Sequence, residues 1–128
     1  MSLNVVVSSR KTGVYVVKPE GRLDSDTYLV LEQKIDSLLE PATRVLIMDM
    51  SGLDYISSAG VRVLFKAKKG LSGSGGEFMM TNLKPQIRKV FEIINALPSI
   101  SIFRNIEEAD AYLDAMQRRE IEKQKESG

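Results

Sequence analysis

Two adjacent hydroxyls, Ser57 and Ser58, lie in the stretch MDMSGLDYISSAGVRVLFKAKKG, residues 48–70, between an apolar-acidic run and a run with helical spacing. Two roles suit them. Ser is a favoured helix N-cap, worth about 1 kcal/mol over Ala. A helix start also tolerates the roughly −1.5 to −2 charges of a phosphoryl group, so a serine there can be modified without loss of the fold. One cap needs one serine, which leaves a second hydroxyl at the same helix end. The chain has no histidine and no cysteine. A Ser-His-Asp triad and thiolate chemistry are therefore excluded, and the commonest zinc ligands are missing. No cofactor and no metal is expected.

The other chemistry-bearing residues have plainer readings. Asp24, Asp49 and Asp54 are acids of the type used in proton transfer or magnesium binding. No substrate fingerprint accompanies them, and Asp24 has a sufficient role as the N-cap of a helix. The glycine-rich GLSGSGG, residues 70–76, ends in GGEF and leaves a helix to enter a strand. A phosphate loop runs from strand to helix and closes on Gly-Lys-Ser/Thr, so this segment reads as a surface connection. Arg118, Arg119, Lys123 and Lys125 alternate with Glu120, Glu122 and Glu126. Their charges cancel, as on a solvated helix end.

The elements that position these residues follow from periodicity. LNVVVSSR and GVYVVKPEG, separated by KTG, read as two strands joined by a tight turn. Tyr28, Leu31, Ile35 and Leu38 recur at helical spacing after Asp24, with Leu23 and Tyr28 at the staple positions and Pro41 closing the segment. RVLIMDM is a short, almost unbroken apolar run and reads as a strand buried on both faces. A helix follows Ser57-Ser58, with Val61, Leu64 and Phe65 on one face and Gly70 as its stop. EFMMT is the next strand. KPQIRKVFEIINAL is a helix with Pro85 in its first turn and Ile87, Val90, Phe91 and Ile94 inside. SISIF is a short strand, and NIEEADAYLDAMQRR a last helix capped by Asn105, with Ala109, Tyr112, Leu113 and Met116 inward. The order β-β-α-β-α-β-α-β-α predicts an α/β domain: a mixed, mostly parallel five-stranded sheet with about four helices packed on it. RVLIMDM should be its central strand. The domain spans residues 1–117, and 118–128 form a polar tail.

Composition bounds the function. With 128 residues, 43% hydrophobic and 27% charged, the chain is one ordinary globular domain. A net charge of +1 gives no bias toward nucleic acid. No apolar run approaches the roughly 20 residues of a membrane span, and the N-terminus lacks the layout of a signal peptide. Absent cysteine fits a cytoplasmic location without membrane insertion.

At VVKPEGRLDSDT, RVLIMDMSGLDYISSAGVRVLFKAKKG, FMMTNLKPQIRKVFEII and IFRNIEEADAYL the chain resembles the STAS domain family, the sulfate transporter and anti-sigma factor antagonist domains. It looks most like the stand-alone bacterial antagonists, and the central run is the specific part. The resemblance implies a partner-switching protein that is not an enzyme. Unphosphorylated, it would bind an anti-sigma factor that is also a serine kinase; phosphorylation would end the binding, and a serine phosphatase would restore it. The family's acceptor serine lies two residues before a Gly, which Gly60 places at Ser58. The family's preceding Asp falls on Ser57, which makes Ser57 a competing acceptor. Asp24, Asp49, Ala59, Gly60 and Arg62 would complete the switch and partner surface. Other domains of the family serve as scaffolds in stress-signalling assemblies or as lipid-transporter subunits, in which the serine pair would only cap. A nucleotide-binding or hydrolytic protein is a third reading.

Overall fold

The computed structural model describes residues 2–93 and 101–127, with the backbone alone at 116, 117 and 120–127. The strands are β1 (Leu3–Lys11), β2 (Val14–Leu23), β3 (Val45–Asp49), β4 (Leu53–Ile56), β5 (Glu77–Thr81) and β6 (Ser101–Phe103). The helices are α1 (Tyr28–Asp36), α2 (Ser58–Gly73), α3 (Pro85–Ile93) and α4 (Ile106–Ser127). The sheet runs β1-β2-β3-β5-β6, with β4 joined to β2 beside this path. β1 is antiparallel to β2, and the remaining pairings are parallel.

β3 is central, as its apolar run predicts, and its alternation feeds two cores. Leu46 and Met48 face a large core with Val17, Leu23, Phe78 and Met80, closed by Leu31 and Ile35 of α1, Val61 and Leu64 of α2, and Ile87 and Phe91 of α3. Val45 and Ile47 face the other way, into a smaller core with Val14, Val16 and Met79 that Ala109 and Leu113 of α4 cover. Strand side chains alternate between faces, so an unbroken apolar strand requires a helix layer on each side. Leu46, Ile47 and Met48 have no exposed surface.

Six strands replace the expected five because SGLDYISS contains β4. The ten-residue β2 is shared along its length. Val14–Val17 pair with Val45–Met48 of β3, and Gly21, Arg22 and Leu23 pair with Leu53, Tyr55 and Ile56 of β4. Asp54 is the extra residue of a bulge in this second ladder. The bulge resets the alternation, so Leu53 and Ile56, three residues apart, both point into the core while Tyr55 stays exposed beside Arg22. A period-2 reading misses such a strand.

Three further expectations change. The α1 helix begins at Tyr28 with Thr27 in the N-cap position, because Asp24 caps a separate preceding turn. Gly70 does not stop α2. The helix continues to Gly73, and the left-handed backbone that ends it falls at Gly75, φ 82°, so residues 70–73 are helix and 74–76 alone connect to β5. Residues 118–127, read as a polar tail, continue α4 as helix. The Asn105 cap stands: its Oδ1 accepts from the Glu108 amide at 2.8 Å. Ile94 and the side chain of Met116 lie outside the described residues.

Candidate functional site

Asp24 and Ser57 come together through the β2–β4 ladder. Leu23 and Ile56 are register partners, and the Ser57 amide donates to the Leu23 carbonyl at 2.9 Å. Asp24 and Ser57 are therefore the next residues on two neighbouring parallel strands, at their carboxyl ends. In open α/β sheets that edge is where ligands and partners meet the fold.

Asp24 leaves β2 into a tight turn. Its Oδ1 accepts from the amides of Asp26 at 2.9 Å and Thr27 at 3.1 Å. The Thr27 hydroxyl in turn accepts from the Asp24 amide at 2.9 Å and donates to the Arg22 carbonyl at 2.7 Å. This reciprocal arrangement follows the logic of a capping box, with Thr in place of the usual Glu or Gln. The Asp26 amide holds the Asp24 carboxyl below its ordinary value of 3.8; Thr27 and Arg22 add to the effect and partial burial opposes it. The carboxylate form is thus fixed in place where β2 ends.

The two serines divide the work. Ser57 is the N-cap of α2: its backbone is extended, and its hydroxyl accepts from the Gly60 amide at 3.4 Å. Its carbonyl accepts from the Val61 amide at 3.0 Å. Ser58 is the first helical residue and is exposed. Among the described residues its hydroxyl has no hydrogen-bond partner within the chain. Ala59 is half-buried and Gly60 buried.

Gly60 is small for a packing reason. A Cβ there would lie 2.6 Å from Leu23 Cγ and 2.9 Å from Ile56 Cγ1. The first turn of α2 thus rests directly on the ends of β2 and β4. That contact sets the height at which Ser58 leaves the sheet edge.

Charged and aromatic groups surround this edge, among them Arg22, Tyr55 and Lys84, which the sequence did not single out. The Arg22 guanidinium lies 4.1 Å from the Tyr55 ring centroid, and its Nε is 3.7 Å from Asp24 Oδ2. Tyr55 is 42% exposed, so the stack stands at the surface. Lys84 Nζ is 2.6 Å from Asp54 Oδ1. The cross-strand partnership of Arg22 and Tyr55 became visible only with the bulge at Asp54. Arg62 is exposed on α2, one turn beyond Ser58.

Asp49 is not drawn into this cluster. Its Oδ1 accepts from the Ser51 amide and from Asn82 Nδ2, both at 3.1 Å. It ties the end of β3 to the residue after β5, where Asn82 takes a left-handed backbone, φ 57°. A separate cleft of about 290 Å³ is lined by Asn82, Leu83, Arg88, Phe103, Arg104 and Glu108 among others, and by none of the serine-site residues. Among the described residues no group of three or more acids forms a metal site, and no helix is long and apolar enough to cross a membrane.

Comparison with known proteins converges on one family. The profile of the STAS domain matches residues 6–109. The chain is 33% identical over 99 residues to BtrV of Bordetella bronchiseptica, a candidate anti-sigma factor antagonist, covering 77% of this chain and 85% of that one. A crystal structure of an anti-sigma factor antagonist from Mycobacterium paratuberculosis superposes with a TM-score of 0.77 at 22% identity, covering 86% of this chain and 92% of that one. The Bacillus cell-fate determinant SpoIIAA in its phosphorylated form superposes with a TM-score of 0.69 at 21% identity, covering 85% and 99%.

Proposed function

Because the chain belongs to the STAS domain family, we propose that it is an anti-sigma factor antagonist, a binding protein and not an enzyme, switched by phosphorylation of Ser58. In its unmodified form it binds an anti-sigma factor with serine kinase activity through the edge formed by Asp24, the Arg22–Tyr55 stack and the first turns of α2. The kinase transfers the γ-phosphoryl of ATP to Ser58 Oγ, releasing ADP and a proton, and the partner leaves. A serine phosphatase returns the free hydroxyl. Such a cycle runs in the cytoplasm.

The observation that carries this reading is the division of labour between the serines. Ser57 is occupied as the cap, whereas Ser58 is exposed with its hydroxyl uncommitted. Phosphorylating a cap oxygen would cost its hydrogen bond, worth about 1 kcal/mol. Phosphorylating Ser58 leaves that bond in place and adds a dianion where the first-turn amides favour negative charge. The relationship to BtrV, itself a candidate anti-sigma factor antagonist, supports the partner class. The fit to SpoIIAA, solved in unphosphorylated and phosphorylated forms, supports a fold that accommodates the modification.

The test is phosphosite mapping after incubation with the serine kinase anti-sigma factor of the same genome, ATP and magnesium. Phosphate on Ser58 is the expected result. Phosphate confined to Ser57, or on neither serine, overturns the assignment.

A further inference from the structure

We infer that Arg62 is the internal receptor of the phosphoryl group on Ser58, so that phosphorylation withdraws this arginine from the partner surface as well as adding charge. The inference rests on the proposed phosphorylation of Ser58 and concerns how the switch is read out. Ser58 and Arg62 stand four residues apart in α2, the spacing at which side chains of one helix face meet. Helical side chains lean toward the N-terminus, which carries the long Arg62 side chain back over the turn that begins at Ser58. Both residues are exposed.

Three other cations around this edge and along α2 are committed. Arg22 is stacked on Tyr55 and lies near Asp24. Lys84 is bonded to Asp54. Lys66, a further turn along α2, lies 3.6 Å from Glu32. Among the described residues Arg62 has no carboxylate within ion-pair distance. It can therefore turn to a new anion on its own helix without breaking an existing pair. Guanidinium and phosphate make strong, often bidentate hydrogen bonds. Ser57 lies five residues from Arg62, and its side chain is turned to the Gly60 amide, so a phosphoryl group there is not offered the same partner.

The consequence is a two-part switch. Without phosphate, Arg62 is free to meet a carboxylate of the bound partner. With phosphate, Arg62 closes on its own helix and that contact is lost together with the neutral serine surface.

The test uses the full chain with phosphoserine installed genetically at position 58, which needs no kinase, and follows the second phosphate ionisation by phosphorus NMR. An adjacent cation favours the dianion. Arg62→Gln is therefore expected to raise that pKa by about 0.15–0.4 units, the scale of an i,i+4 ion pair, and Arg62→Lys to restore most of the difference. The same Arg62→Gln change in a chain with phosphoserine at 57 is expected to shift it by less than half as much. Equal pKa values for the parental and Arg62→Gln chains at phosphoserine 58, or equal shifts for the two serine positions, overturn the inference. Failure of a kinase to modify Ser58 would count against the proposed function and leave this titration readable.

Discussion

Replacing Gly60 with Ala tests whether the serine is positioned by direct contact between helix and strand ends. An ideal Cβ at Gly60 sits 2.6 Å from Leu23 Cγ and 2.9 Å from Leu23 Cδ2 and Ile56 Cγ1. Comfortable carbon contacts need about 3.5–4.0 Å, so the helix start must retreat by roughly 1 Å. Leu23 is fully buried and Ile56 nearly so, which leaves them little room to give way. Overpacking of this kind costs about 1–3 kcal/mol. Ala gains about 0.8–1 kcal/mol over Gly in a helix, so the expected net loss is about 0–2 kcal/mol, centred near 1 kcal/mol. Gly73 is the control: it closes the same helix, and a Cβ there meets nothing within 4 Å. Gly73→Ala should therefore be neutral or stabilising by up to about 1 kcal/mol. Urea unfolding reads both. With a slope of about 1–3 kcal/mol/M, the Gly60→Ala midpoint should fall by roughly 0.5 M while the Gly73→Ala midpoint holds or rises. A Gly60→Ala protein that unfolds above the parental midpoint would refute the packing account of Ser58's position.

Ser57→Ala should cost about 1 kcal/mol in urea unfolding as a lost cap, whereas Ser58→Ala should stay within about 0.5 kcal/mol as an exposed change; equal costs would contradict the division of roles. Leu46→Ala removes a fully buried side chain from the central strand and should cost about 2–5 kcal/mol by the same assay; a cost below about 1 kcal/mol would place β3 outside the packed core. The lowered pKa of Asp24 means that its contribution to stability is complete above about pH 4 and is lost as pH falls through the lower folded value. Asp24→Asn should therefore flatten the loss of stability below about pH 4 in unfolding measured against pH, since Asn caps about as well as Asp and does not titrate. At neutral pH the same variant is expected to slow phosphorylation of Ser58, if the fixed carboxylate helps present it to the kinase; a parental rate would reduce Asp24 to a structural cap.

Much of this arrangement was legible in residue order alone. The buried central strand, the parallel crossovers and the α2 helix followed from RVLIMDM, from alternating strands and helices, and from serines ahead of an apolar stripe. β4 was not legible, because the bulge at Asp54 breaks the alternation by which strands are recognised and makes Leu53 and Ile56 look unrelated. With β4 hidden, the cross-strand stack of Arg22 on Tyr55 was hidden too. The role of Asp24 was half legible: an acid before a helix announces a cap, but the extra turn through Thr27 depends on a reciprocal bond that residue spacing does not specify. Ser57 and Ser58 could not be ranked by sequence as cap and free hydroxyl, since either fits the N-cap; the pairing of Leu23 with Ile56 fixes where the strand ends and so decides it. Gly60 was legible only as the Gly of the family's pattern two residues after Ser58, and its contact with Leu23 supplies a steric reason for a Gly there.

A phosphoryl group on Ser58 is expected to release the partner. The most direct measurement is the affinity of the purified anti-sigma serine kinase from the same genome for two forms of the chain, one unmodified and one with phosphoserine installed at position 58, compared by calorimetry without ATP. A loss of about 3 kcal/mol, roughly a hundredfold in Kd, is the predicted result and is sufficient to free the partner at cellular concentrations. Equal affinity for the two forms would contradict the account.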